Sequence, residues 1–278
     1  MNKFNFNKCL NEELSISDEV LTETNNISLL IKNDINTKIP QREFVGDVVD
    51  GNFKYNFFGK EFDINYRCYI NITNVFYLKD LVSTTYLDRN IVDFNLSLIR
   101  DDLFFDGPIS HEVLHIFQYT KNKHDYLQYS YFSKLYNAAR NIKKHYNEYN
   151  DTEINFAKAL YASFPFEQDA MTHCYYTNLF KVNIYAIQIV KDDLDEYKFL
   201  ETIQTAEYKF LETIQTAINN IDLFDESLFN NIISKQKFLI RLQKSYKRFK
   251  LKLNNAVKKV YKDKENIIKD LNISEGLI

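Results

Sequence analysis

The segment Asp106–Gln118, DGPISHEVLHIFQ, carries a helix start and a chemical motif in the same window. Asp106 or Gly107 can cap a helix, and Pro108 suits the first turn, where its missing N–H would have no intrahelical partner. Val113, Leu114, Ile116 and Phe117 supply an apolar flank that would bury the helix against a sheet. On such a helix His111 and His115, four residues apart, lie one turn above the other on one face, so both imidazoles can be directed at a single metal ion. Glu112 sits beside the first of them, within reach of a water whose pKa the metal lowers toward 7. With only 5 histidines in the chain, a chance H-E-x-x-H has a probability on the order of one in a hundred, so the motif outweighs an isolated histidine pair.

Working outward, the period of the sequence changes at this point. Upstream, residues 43–100 hold short runs rich in Val, Ile, Phe and Tyr, as in GDVVDG, NFKYNFFG and EFDINYRCYINIT. Punctuated by Gly46, Gly51 and Gly59, they read as strands joined by tight turns, and Phe94, Leu96, Leu98 and Ile99 mark a last strand. Further upstream only Ser17–Thr24 suggests a helix. Downstream of Pro108 almost everything has the helical 3.6 period. Sheet first and helices after is the α+β arrangement. The expected body is a small, mostly antiparallel sheet followed by an active-site helix over 108–120, a ligand helix over about 165–180 and a helical C-terminal extension. As parts of the chain these are 1–105, 106–220 and 221–278. EYKFLETIQTA occurs at Glu196–Ala206 and again at Glu207–Ala217. Eleven residues are close to three turns, so the duplication reads as a lengthened helix.

Zinc asks for a third protein ligand and leaves its fourth position to water. A metzincin pattern would need Gly at 118 and His at 121, where the chain has Gln118 and Lys121, and no downstream G-T-x-D segment exists. The chain offers instead Ala162–Ala170, ASFPFEQDA, a second helix start with Ser163 as its cap and Pro165 in its first turn. Glu167 lies just inside, and Ala170, three residues on, would let this helix approach the first one closely. The pairing of H-E-x-x-H with a later E-x-x-A resembles the gluzincin branch of the zincin metallopeptidases, especially its compact bacterial and phage members. The matched motifs cover Asp106 to Tyr176.

That resemblance implies a zincin-like fold and a Zn²⁺ ion held by His111, His115 and Glu167, with Glu112 as general base in the hydrolysis of peptide bonds in a peptide or protein substrate. The chain departs from the thermolysin-like pattern at Met171, where an Asp would stand, and Asp169 is out of phase with that position. Asp169 and His173 are rivals to Glu167 as third ligand. For the proton donor that stabilises a tetrahedral oxyanion, Tyr161, His173, Tyr175 and Tyr176 are open alternatives. Cys174 falls on the Glu167 face, although a core thiol is the simpler reading. His124 and His145 read as surface or packing residues. The stretch from Lys121 to Tyr161 could be a lid or scaffold.

Composition bounds the rest. The longest apolar stretch is interrupted by Lys181, Asn183 and Gln188, so no membrane span is expected. The N-terminal residues lack the apolar core of a secretory signal, and Cys9, Cys68 and Cys174 form neither a disulfide framework nor a cysteine zinc site, which points to the cytoplasm. A net charge of −3 hides an asymmetry. Residues 235–264 hold 12 Lys or Arg against Asp263, a net of +11, so the remainder carries −14. From Phe238, apolar residues recur at Leu239, Leu242, Tyr246, Phe249, Leu253, Val257 and Val260, the spacing of an amphipathic helix. Its basic face could be solvated against the acidic body, or meet nucleic acid or a membrane surface. The alternative function is therefore a non-catalytic structural or regulatory protein, of phage type for instance, on a zincin scaffold whose basic helix binds nucleic acid or a protein partner.

Overall fold

A computed structural model describes residues 16–38, 48–70, 83–98, 106–121, 141, 145–189, 210–224 and 234–270. The first element, α1 (Asp18–Lys38), is longer than the expected turn or two at Ser17–Thr24. Ser17 does begin it, its Oγ accepting the backbone N–H of Val20 at 3.5 Å. Continuation to Lys38 comes from burial: Val20, Thr24, Ile27, Ile31 and Ile35 recur every three or four residues and face the interior. Asn25, Asn26, Asn33 and Asn36, poor helix formers, hide this stripe in the sequence. Tertiary packing overrides them.

Four strands come next: β1 (Val48–Phe57), β2 (Lys60–Ile70), β3 (Thr84–Tyr86) and β4 (Ile91–Leu98), in the spatial order β1-β2-β4-β3. The pairs β1/β2 and β3/β4 are antiparallel, whereas β2 and β4 run parallel, so the sheet is mixed with antiparallel pairing in the majority. A two-residue turn, Phe58-Gly59, closes the first hairpin with φ of 47° and 75°. Positive φ at both positions matches the right-handed strand twist, and Gly59 adopts it without steric cost.

One expected break does not occur: Gly51 lies inside β1 and does not end a strand. It pairs with Tyr66, and a Cβ there would stand 2.3 Å from the Tyr66 ring and 2.6 Å from Asp34 Oδ2. The missing side chain lets the Tyr66 hydroxyl cross β1 and donate to Asp34 of α1. Backbone approach explains this glycine; a turn does not.

The helical part comprises α2 (Asp106–Lys121), a 3₁₀ turn at Tyr146–Glu148, α3 (Asp151–Ala162), α4 (Pro165–Ile189), helical residues 210–219 and α5 (Lys235–Asp270). The fold is thus α+β, with strands first and most helices after. Phe62, Ile64, Tyr66, Cys68 and Ile70 of β2, with Val92, Phe94 and Leu96 of β4, share one buried core with α1 and with Ile109, Val113, Leu114 and Ile116 of α2. Each fully buried aliphatic side chain contributes about 1.5–3 kcal/mol, so the inward flank seats α2 firmly on the sheet.

On its other side α2 meets α4. Gly107 lies so close to α4 that a Cβ would stand 2.2 Å from the Asn178 amide. Thr177 donates to Ser110 across the same contact at 3.0 Å, and the small Ala170 is fully buried. Asp106, buried at the start of α2, is clamped by Lys32 of α1 and Lys181 of α4.

Helix α5 lies along α4 and, as expected, turns Phe238, Leu242, Phe249, Leu253 and Val260 inward. In the second copy of the repeat, residues 210–217 are helical and bury Leu211, Ile214 and Ala217. The first copy lies outside the described residues, as do His124, Cys9 and most of the lid or scaffold stretch. Among the described residues, no helix is long and apolar enough to cross a membrane.

Candidate metal centre

The α2/α4 contact brings three of the expected residues together. His111 and His115 project from α2, one turn apart, and Glu167 enters from the first turn of α4. Their donor atoms form a small triangle: His111 Nε2 to His115 Nε2 is 3.1 Å, His111 Nε2 to Glu167 Oε2 is 3.6 Å, and His115 Nε2 to Glu167 Oε2 is 3.7 Å. A point equidistant from all three lies about 2.0 Å from each, the length of a Zn–N or Zn–O bond. Two imidazoles and a carboxylate are also the donor set of a catalytic zinc site with one position left open. The chain's own geometry therefore fits a zinc ion. Among the described residues, these three are the group of His, Cys, Asp or Glu side chains that could hold a metal.

Glu112 is buried beside them, and its carboxylate accepts a hydrogen bond from Thr85 Oγ1. Thr85 stands on β3, the sheet edge next to α2, and so fixes one carboxylate oxygen from outside the helix. Strand β3 is only three residues long, too short to carry an alternation that marks it in the sequence.

Gln118 is a second residue whose role the sequence alone does not reveal. Its Oε1 faces His115 Nδ1 at 3.0 Å, while its Nε2 donates to the Phe166 carbonyl at 3.2 Å. The first contact requires a proton on Nδ1, which leaves Nε2 free to face a metal; the second ties α2 to the residue just before Glu167. Its place one turn beyond His115, on the same face, was the available signal. Gln118→Ala is expected to weaken metal affinity by about 10–100-fold without changing the ligand count. Competitive titration with a metal-binding dye measures this, and an unchanged affinity would remove Gln118 from the site.

Electrostatics inside the triangle are those of a preformed ion pair. Burial alone pushes the His115 imidazole down, yet the Glu167 carboxylate, with Glu112 and Gln118, raises it to about 9. Burial pushes the Glu167 carboxyl up, and both imidazoles outweigh this and hold it well below the usual carboxylate range. For His115, ordinarily 6.5, the folded value is raised, so its stabilisation is complete below pH 6.5 and is lost as pH rises through about 9. For Glu167, ordinarily 4.5, the folded value is depressed, so its contribution is complete above pH 4.5 and is lost as pH falls. Metal-free protein is therefore expected to show a Tm that declines from pH 6.5 to 9. Calorimetry after chelator treatment reads this directly, and a Tm that climbs over that interval contradicts the pairing.

The rivals for third ligand lie elsewhere. Asp169 pairs with Lys252 of α5, on the far side of α4. His173 is buried and outside the triangle; burial and the nearby charges of His111 and Lys259 push its imidazole down to about 3. Its Nδ1 has no hydrogen-bond partner among the described residues. Of the oxyanion candidates, Tyr176 donates to Asp263 of α5 at 2.7 Å, and Tyr175 packs in a cluster that includes residues of α5. Cys174 accepts a bond from Asn178 at 3.7 Å and stands outside the triangle. His145 is exposed and bonded to Glu148, as a surface residue should be.

Ser163 departs from its expected role. It closes α3 and does not cap α4: its Oγ donates to the Leu160 carbonyl at 2.7 Å and accepts from Arg241 Nε at 3.2 Å. A hydroxyl so engaged turns back along α3, and the Phe164 carbonyl, accepting the Gln168 N–H at 3.0 Å, begins α4. No protein-family model matches the chain, and neither does any curated protein or solved structure.

Proposed function

We propose that the chain is a zinc-dependent metallopeptidase of the zincin type, gluzincin-like in taking its third ligand from a second helix. The observation that carries this reading is the convergence of His111, His115 and Glu167 on a seat of zinc dimensions, with Glu112 alongside and not among the donors. When bound, zinc would supply a Lewis acid that polarises a carbonyl and lowers the pKa of a neighbouring water.

The protein's own groups do the rest. Glu112, anchored by Thr85, takes the proton from the attacking water and returns it to the leaving amine nitrogen. His111 and His115 act as neutral donors, and Glu167 offsets the metal's charge in a buried setting. Burial of Glu112, His115 and Glu167 strengthens these interactions by lowering the local dielectric. Cytoplasmic residence belongs to the same reading, and the free thiols Cys68 and Cys174 support it.

Hydrolysis is tested by incubating zinc-loaded protein with a peptide library and sequencing the products by mass spectrometry. New amino termini at a recurring sequence, abolished by chelator and restored by zinc, are the expected outcome. A zinc-loaded protein that cleaves nothing in a diverse library would remove the peptidase assignment while leaving the metal centre intact.

A further inference from the structure

Helix α5 spans 36 residues and divides its charge unevenly between two sides. Around the buried stripe, the cations have partners within the protein. Arg241 lies 4.9 Å over the Phe164 ring, Arg248 Nε donates to Gln168 Oε1 at 2.9 Å, Lys252 pairs with Asp169, and Lys259 reaches Asp263 at 2.9 Å. The outward side differs. Lys237, Lys247, Lys250, Lys258 and Lys262 are exposed, and none pairs with an acid among the described residues.

From Lys235 to Lys262 the helix contains no Asp or Glu at all. Like charges therefore meet at helical neighbour spacings, as in Lys244/Lys247, Lys247/Lys250 and Lys258/Lys262, and each such pair destabilises the helix. A helix face shaped only for solubility alternates acids with bases at these spacings. Large apolar side chains stand on this outward side as well: Ile240, Leu251 and Tyr261 are exposed. Ile240 and Leu251 are eleven residues apart, three turns, and so share one line with Lys247 and Lys258, which have the same separation.

We propose that this side of α5 is a docking surface for an anionic lipid bilayer, with the helix lying flat on the headgroups. The row from Lys237 to Lys262 runs about 38 Å along one continuous helix. A plane of negative charge meets the exposed lysines along that length, whereas the backbones of a nucleic acid duplex wind away from a helix axis of that length. Ile240, Leu251 and Tyr261 enter the boundary between headgroups and acyl chains, and a phosphate backbone offers them nothing equivalent. The remainder of the chain, at −14, is repelled by the same surface and turns away from it. Docking here is independent of the metal centre.

Co-sedimentation of the full chain tests the proposal, using phosphatidylcholine vesicles with and without about a third phosphatidylserine. Binding to the anionic vesicles alone is expected, weakened by added salt. The triple variant Lys247→Glu, Lys250→Glu, Lys258→Glu leaves the buried stripe untouched; it should bind more than about a hundredfold less tightly at unchanged Tm. Ile240→Ser with Leu251→Ser should remove the binding that survives high salt. Equal sedimentation with neutral vesicles, undiminished binding by the triple variant, or retention of a short DNA duplex without vesicle binding would each overturn the proposal.

Discussion

Replacing Glu112 with glutamine is expected to leave zinc bound and to lower kcat/KM for peptide hydrolysis by about 10²–10⁴-fold. The side chain is not one of the three donors, so its loss removes no ligand. Glutamine has the same shape and can still accept the Thr85 hydroxyl bond, which keeps α2 and β3 in place. It cannot take a proton from water at neutral pH. Zinc content and kcat/KM are to be measured on one preparation, with a library-derived substrate. Full activity with zinc present would overturn the role given to Glu112, and loss of zinc would make it a ligand.

The second large effect is expected at His115. His115→Ala should reduce bound zinc from about one per chain to none, because two remaining donors do not complete the site. It should also lower the stability of metal-free protein, since Glu167 is only 1% exposed and would keep a single imidazole beside its charge. Breaking a buried pair from one side costs about 3–5 kcal/mol. His145→Ala is the matched control, because His145 is exposed and its ring is bonded to Glu148, outside the triangle. Elemental analysis gives the metal content and thermal melting the stability. Zinc retained by His115→Ala at wild-type stoichiometry would place the metal elsewhere.

The parts of this molecule that were legible in its sequence are those governed by local rules. Helix α2 announces itself through Pro108, the inward flank and the one-turn spacing of His111 and His115, all within thirteen residues of chain. Glu167 was legible because Pro165 fixes where α4 begins and Ala170 marks the side that meets another helix. Where the deciding contact joins distant segments, the sequence carried no mark of it. Gln118 bonds the carbonyl of Phe166, a contact that its place one turn beyond His115 does not announce, and Thr85 reaches Glu112 from a three-residue strand with no distinctive neighbour pattern.

The misread elements fail for the same reason. Gly51 looks like a turn until Tyr66 and Asp34 are seen to occupy the space of its side chain. Ser163 fits a cap by composition, but its hydroxyl is engaged by Leu160 and Arg241, the latter arriving from α5. In α1, asparagines with weak helix propensity concealed a buried stripe that packing against the sheet and α2 explains.

Everything proposed for the centre depends on two imidazoles from α2 and one carboxylate from α4 sharing a single ion. X-ray absorption at the zinc edge of the loaded protein measures that shell most directly. Two histidine nitrogens and one or two further light atoms at about 2.0–2.1 Å are expected, and Glu167→Ala, left with two donors as His115→Ala is, should take up no zinc under the same loading. A sulfur neighbour at about 2.3 Å, a shell without histidine scattering, or a spectrum unchanged by Glu167→Ala would contradict it.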